Sequence, residues 1–299
     1  MKATEWKLGV STAFTKNIKK ETFELYANAG VPCMEISIPE NDYESIDWEA
    51  TKRYSKEYAV ELHSFHLPFF PFSKVNIACK DKEVVAYTLA YYERLLRPVG
   101  EAGIPIVVVH PSGEPNRDED RPELLKIAAD SLARLAEMGR RYGFKVAVEN
   151  IPRSCLGNCS RELLQVISSD SDLGVCFDTN HLLIESSEDF IRACGSKIIN
   201  IHVSDYDFRN ERHWLPGEGK LNWDRLIKGL EDVGYSGIFL YELDGKTPPS
   251  IFRDRDLTLR DLIENHAALI EGKMPPLIGT PNEEFCAKNS YYQVPVIKG

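Results

Sequence analysis

The sequence predicts an α/β fold, a (β/α)8 barrel in a single domain with an irregular C-terminal extension. Three observations predict it. Eight short apolar, β-branched runs recur along the chain. Longer amphipathic runs, with apolar residues three and four apart, alternate with them, which argues for a parallel sheet with helices outside it. The turn after the first strand, STAFTKN, carries no Gly-rich phosphate loop, so an open doubly wound nucleotide fold is disfavoured.

The strand runs are KLGVST, CMEISI, VELHSFHL, IPIVVVHP, FKVAVEN, LGVCFDT, IINIHVS and GIFLYEL. Helical runs between them include KKETFELYANAG, DKEVVAYTLAYYERLLRPVGEAG, RPELLKIAADSLARLAEMGRRYG, SRELLQVISS, SEDFIRACG and WDRLIKGLEDVG, and LTLRDLIENHAALIEG follows the eighth strand. Several stop at Gly, a usual helix terminator. No Gly/Ser-rich linker divides the chain, so residues 1–272 read as the barrel. Residues 273–299, rich in Pro and Gly, read as the extension, whose YYQVPVI is apolar enough to pack on the barrel or on a second copy in a homo-oligomer.

Of 299 residues, 46 are acidic and 36 basic, a net charge of −10. That balance disfavours a nucleic-acid partner, whose phosphates attract basic surfaces. The seven cysteines are scattered and form no CxxC, which fits a reducing, cytoplasmic setting better than a disulfide framework. The start, MKATEWKLGV, has no signal-peptide pattern, and no apolar run is long enough for a membrane span.

A barrel of this kind carries its chemistry at the C-terminal ends of its strands. Those ends supply His63 and His66, His110, Glu149 with Asn150 and Arg153, Asp178 and His181, His202 and Asp205, and Glu242 with Asp244. Six of the seven histidines fall at strand ends or in the loop after strand 7; only His266 lies in a helix. Each such run stays apolar until its polar residue appears. A carboxylate or imidazole at the rim of a dry barrel is costly unless paired, hydrogen-bonded or bound to a metal. Their convergence on one mouth makes a divalent metal the simplest compensation. Glu149, Asp178, His202 and Glu242 offer three carboxylates and one imidazole, a set suited to Mn²⁺, Mg²⁺ or Co²⁺ and less selectively to Zn²⁺.

Individual positions carry different weight. Glu149, closing KVAV, has little structural excuse. His63 and His66, three apart on one strand, should face opposite sides unless the chain bends, and His66 is the one expected at the mouth. Asp205 could cap a helix or orient His202, and Arg153 could lie on the surface or anchor substrate. PFFPF (68–72) is an aromatic loop that could also cover the substrate.

Taken together, HLPF, VVVHPSG, VAVEN, FDTNH, IHVSD, HWLPGEGKLNW and YEL resemble, in order, the motifs of the xylose isomerase-like TIM-barrel superfamily, the sugar phosphate isomerase/epimerase group. The resemblance implies a metal held by Glu149, Asp178, His202 and Glu242. It implies that Glu149 and Glu242 also serve as the acid–base pair of a ketose epimerase, with His181 on substrate oxygens. The same superfamily includes endonuclease IV-type repair enzymes, whose larger ligand set maps onto His66, His110, Glu149, Asp178, His181, His202, Glu211, His213 and Glu242. Its Asp-x-His pair is here Glu211-Arg212-His213. The ketose 3-epimerases tend to place an arginine near the position of His213.

The expected activity is therefore a metal-dependent isomerase or epimerase on a sugar, keto-sugar or sugar phosphate. An apurinic-site endonuclease is the first alternative. A lyase such as an inosose-type dehydratase or a C-glycoside deglycosidase subunit is the second, and a non-enzymatic scaffold barrel the third.

Overall fold

The computed structural model describes residues 2–291. Eight parallel strands close into a barrel in sequence order, β8 pairing back onto β1. They are β1 (Leu8–Ser11), β2 (Cys33–Ile36), β3 (Glu61–His66), β4 (Ile106–Val109), β5 (Lys145–Glu149), β6 (Gly174–Asp178), β7 (Ile198–Val203) and β8 (Phe239–Tyr241). All eight lie within the runs predicted from sequence.

Helices α1 (Lys20–Ala29), α2 (Trp48–Tyr58), α3 (Lys82–Glu101), α4 (Arg121–Tyr142), α5 (Ser160–Ile167), α6 (Ser187–Cys194), α7 (Trp223–Asp232) and α8 (Leu259–Ile270) follow the strands in turn. α2 is the one barrel helix whose run was not singled out in the sequence. Thr51 is its only fully buried residue, so its apolar stripe is faint, but Asp47 caps it by accepting from the Ala50 N–H at 3.0 Å. α7 shows the opposite case: Trp223, Leu226, Ile227 and Leu230 form one buried stripe, and Asn222 caps the helix. Each such aliphatic side chain removed from water contributes roughly 1.5–3 kcal/mol.

Two register shifts matter for the mouth. Between β2 and β3 the pairing jumps from Met34↔Leu62 to Glu35↔Ser64, so His63 is an extra residue. Between β6 and β7 it jumps from Val175↔Ile198 to Cys176↔Asn200, making Ile199 the extra one. Each insertion re-aims the side chains beyond it. The bend in β3 lets His63 share the interior with His66: His63 Nε2 meets Asn200 Oδ1 at 3.2 Å, across the barrel on β7. Below the mouth, Val108, Ala147 and Cys176 form an apolar layer with Ile106 and Ile199.

After α8 the chain turns back along the loop that follows β8. There β9 (Ile251–Phe252) pairs antiparallel with β10 (Thr280–Pro281), and α9 (Glu283–Lys288) comes next. Of the apolar run 291–297, only Tyr291 lies within the described residues; its N–H donates to the Arg209 carbonyl at 2.9 Å. Among the described residues no helix is long and apolar enough to cross a membrane.

Candidate metal centre and active site

Glu149 ends β5 and Asp178 ends β6; His202 is the penultimate residue of β7, and Glu242 follows β8. Side chains alternate in and out along a strand, and these four all fall on the inward set at the top of the barrel. One ligand atom from each lies within 4.8 Å of the others. His202 Nδ1 sits 3.1 Å from Glu149 Oε1, 3.2 Å from Glu242 Oε2 and 4.0 Å from Asp178 Oδ2. Asn150 braces the floor: its side chain donates to the Asp178 carbonyl at 2.9 Å and accepts the Asp178 N–H at 2.7 Å, tying β5 to β6.

Two further groups flank this quartet. His66, His110 and Glu149 form one; His181, Glu211 and His213 form the other. Nε2 of His66 and of His110 lie 3.1 and 3.3 Å from Glu149 Oε2. His181 Nε2 lies 3.3 Å from Glu211 Oε2. His66, His110, Glu149, Asp178, His181, His202, Glu211, His213 and Glu242 thus fall into three adjoining groups. His63 is the histidine of the strand ends that stays one layer below, paired to Asn200.

Four histidines share a pattern that suits a cation. His66 Nδ1 donates to the Leu67 carbonyl at 2.9 Å, His181 Nδ1 to the Asn150 carbonyl at 2.9 Å, and His213 Nδ1 to the Glu242 carbonyl at 3.2 Å. His202 instead commits Nε2, 3.1 Å from Glu35 Oε2. One nitrogen is anchored outside the cluster, and the other faces it, as in histidines that ligate metals. Asp178 Oδ2 is buried, faces the quartet and has no hydrogen-bond partner among the described residues. A buried carboxylate oxygen left so is expensive. The mixed oxygen–nitrogen donors and this orphaned oxygen fit a divalent cation held by Glu149, Asp178, His202 and Glu242.

The electrostatics show the same demand for positive charge. Burial works against ionising His66, yet Glu149 outweighs it and raises the imidazole to about 9. For His181, burial is again outweighed, here by Asp178 and Glu211, and its value rises to about 10. Burial pushes the Asp178 carboxyl up to about 7, with Glu149 and Glu242 adding repulsion against the pull of His181. Glu149 goes the other way: burial opposes its ionisation, but the charge of His202 and hydrogen bonds from His110, His202 and His66 hold it well below the usual carboxylate range.

The loop after β7 carries Glu211 and His213 and is itself heavily braced. Asp205 pairs its backbone with Trp214, and its carboxylate accepts from the Tyr206, Gly217 and Leu221 N–H groups and from Trp223 Nε1. Its role is to shape this loop; its oxygens are committed there and not to His202. The PGEG turn needs both its glycines: Gly217 has φ +93°, and a Cβ on Gly219 would collide with the Asp205 carboxylate. Arg253, from β9's loop, and Glu218 form a pair with side chains 1% exposed on both sides, Nε to Oε1 3.0 Å. Arg153 is neither a plain surface residue nor a free anchor. It holds Glu114, Asn210 and, at 2.8 Å, Glu211 Oε1. In the loop after β3, Phe69 stacks on His110 with ring centroids 4.1 Å apart, while Phe70 is 52% exposed.

Glu35 is the residue of this site that sequence reading missed. It lies on β2, fully buried, with Oε2 2.7 Å from Ser64 Oγ and 3.1 Å from His202 Nε2. The signal was present: an acid inside CMEISI is as anomalous as Glu149 after KVAV.

Comparison with known proteins places the chain. It is 28% identical to an inosose isomerase of Bacillus licheniformis, over 39% of this chain and 46% of that protein. It is 23% identical to a probable endonuclease 4 of Acholeplasma laidlawii, over 71% of this chain and 79% of the other. Among solved structures, a D-tagatose 3-epimerase-like protein superposes with TM-score 0.73 at 23% identity, covering 89% of this chain and 96% of that one. A 3-keto-D-glucoside 4-epimerase of E. coli does so with TM-score 0.66 at 21% identity, over 81% and 93%. These likenesses establish the barrel architecture. The family model described as xylose isomerase-like TIM barrel matches residues 23–266, and the chain belongs to that family.

Proposed function

We propose that this chain is a metal-dependent isomerase or epimerase that acts on a keto-sugar or related carbohydrate by removing a proton next to a carbonyl. The observation that carries this reading is the strand-borne quartet, in which the carboxylates of Glu149 and Glu242 approach His202 Nδ1 to 3.1 and 3.2 Å from separate walls of the mouth. Sugar epimerases among the structural relatives and inosose isomerases among the sequence relatives support it.

Glu149, held ionised, takes the proton from carbon, and the C–H electron pair moves toward the carbonyl oxygen. Burial raises the Glu242 carboxyl, but the charge of His202 brings it down to about 2. Glu242 has to enter the cycle protonated to deliver a proton to the same carbon from the other face. Glu149 leaves with the proton taken, so the pair carries one proton between them. A divalent cation on the quartet would supply Lewis-acid polarisation of the carbonyl. His181 and His213 stand at the rim, where substrate hydroxyls meet protein, and the Phe69–His110 stack walls the opposite side.

One observation favours a second reading, a phosphodiester-cleaving enzyme with three metals: the two flanking groups nearly complete the ligand set of that kind of site, with Glu211 in place of its Asp. Against it, Glu211 is tied to Arg153 at 2.8 Å, which competes with a cation for that carboxylate. Metal analysis of purified protein, followed by a screen of ketoses and ketose phosphates in deuterated water, separates the readings. About one tightly held metal per chain and deuterium in an otherwise intact sugar support the first. Loss of water or an aglycone would redirect it to a lyase. About three metals and nicking of abasic duplex DNA would sink it.

A further inference from the structure

We infer that Glu35 is a positioning residue for the metal centre: it holds His202 by Nε2 so that Nδ1 points at the carboxylates of Glu149, Asp178 and Glu242. This rests on the proposed metal-dependent reading of the quartet.

The argument begins with cost. Glu35 is on a strand of the barrel interior with no exposure, and its Oε1 has no hydrogen-bond partner among the described residues. Leaving a carboxyl oxygen unpaired in such a place is destabilising, and an apolar residue would fill the space without that penalty. Among the described residues Ser64 Oγ at 2.7 Å and His202 Nε2 at 3.1 Å offset it. Ser64 is brought opposite Glu35 by the extra residue in β3, which shifts the pairing to Glu35↔Ser64. The serine hydroxyl donates to the oxygen that receives the imidazole, and so fixes that oxygen's position.

The consequence falls on His202. An imidazole that gives its Nε2 proton to Glu35 has its Nδ1 lone pair free for a cation, and its ring plane is set by the carboxylate. The other ring-anchored histidines of the mouth use backbone carbonyls for this purpose. His202 has Glu35 instead, reached through the barrel interior from β2, with β1 and β8 lying between that strand and β7. Removing the negatively polarised acceptor weakens the histidine as a ligand, typically by 10–100-fold in metal affinity.

The test uses full-length protein and Mn²⁺ as the probe, with affinity read by chelator competition and the fold checked by thermal melting of the metal-free protein. Wild type should bind Mn²⁺, and Glu35→Gln about 10–100-fold more weakly. Ser64→Ala, which keeps the carboxyl but frees it, should fall between them and serves if Glu35→Gln does not fold. In Zn²⁺-loaded wild type, nitrogen NMR should show His202 protonated at Nε2 with a strongly downfield proton, and Glu35→Gln should lose that signal. A residue needed only for folding would lower the melting temperature and leave both the affinity and this signal intact, which would overturn the inference. Wild type that binds no divalent cation would overturn the metal-dependent reading itself, and this inference with it.

Discussion

The quartet and the His181–Glu211–His213 group differ in what carries them. Glu149, Asp178 and His202 sit on strands and are buried, and Glu242 follows directly on β8. Glu211 and His213 ride a loop after β7, are only partly buried, and His213 has φ +51°. Among the described residues the quartet's Asp178 Oδ2 has no hydrogen-bond partner, only His181 Nδ1 at 3.5 Å and His202 Nδ1 at 4.0 Å, whereas Glu211 is held more closely, by Arg153 at 2.8 Å and His181 at 3.3 Å. A site on rigid strands is preorganised and presents unmet demand for a cation. A site on a loop can be held by the protein's own cations and adjusted to substrate. In this chain the chemistry is expected on the strands and the selectivity on the loop.

The largest effect that can break this comparison is expected at the quartet. Glu149→Gln removes the proposed base and one cluster charge, so turnover should fall by about 10³-fold, near 4 kcal/mol of barrier. Deuterium wash-in to a responsive ketose is the measurement. Full turnover in this variant would remove the acid–base assignment.

Next in size is the brace beneath the loop. Arg253→Met leaves Glu218 buried without its partner, and losing one half of such a pair costs about 3 kcal/mol. Gly279 is packed against both side chains, with its would-be Cβ 2.7 Å from Glu218 Oε1, so there is little room for water to compensate. Urea unfolding should report the loss. If loop and strands are independent, Mn²⁺ affinity of the folded variant stays at the wild-type value; a parallel fall in affinity would show that the quartet needs the loop.

A smaller effect is expected at the loop group itself. Glu211→Gln removes a charged acceptor from His181 and Arg153, and kcat/KM should drop by roughly tenfold, about 1.4 kcal/mol, mostly in KM. A loss as deep as that of Glu149→Gln, with a fall in metal content, would instead make Glu211 an essential ligand and favour the three-metal reading.

The two regions were also unequally legible. Glu149, Asp178 and Glu242 stand out in sequence because an acid interrupts or closes a β-branched run, a local contrast that needs no three-dimensional information. Their convergence followed from the barrel rule that strand ends share one mouth. Glu35 obeys the same contrast but sits early in the chain, before the histidine-rich ends. Its contact with His202 becomes visible only when the closed barrel brings the interiors of β2 and β7 together. The interior placement of His63 depends on a one-residue insertion in β3 pairing, which no periodicity reveals. Arg153 and Asp205 were ambiguous because their partners, Glu114, Glu211 and the turn around Gly217, lie in other loops or far along the same one. Helix α2 was faint because it buries little.

The smallest expected effect concerns how the extension is fastened to that loop. Asp207 accepts from Arg212 Nε at 3.1 Å and Nη2 at 3.0 Å, and Arg212 in turn donates to the Cys286 and Asn289 carbonyls of α9 and its end. Burial raises the Asp207 carboxyl, but the Arg212 hydrogen bonds and the Arg209 and Asn210 N–H groups outweigh it and lower it below its ordinary value. A carboxyl lowered in the folded state contributes stability that is fully present above its unfolded value, about 3.9, and is lost as pH falls through the lower folded value. Acid should therefore loosen α9 before it reaches the strands. Hydrogen exchange should rise at the amides of 283–288 below about pH 4, while β5 and β6 stay protected. Asp207→Asn should bring that exchange to neutral pH and flatten its acid dependence, because the charge that titrates is gone while the shape remains. Loss of protection at α9 and in the strands at one common pH would show instead that extension, loop and quartet open as a single unit, and the division between a rigid centre and an adjustable rim would fall.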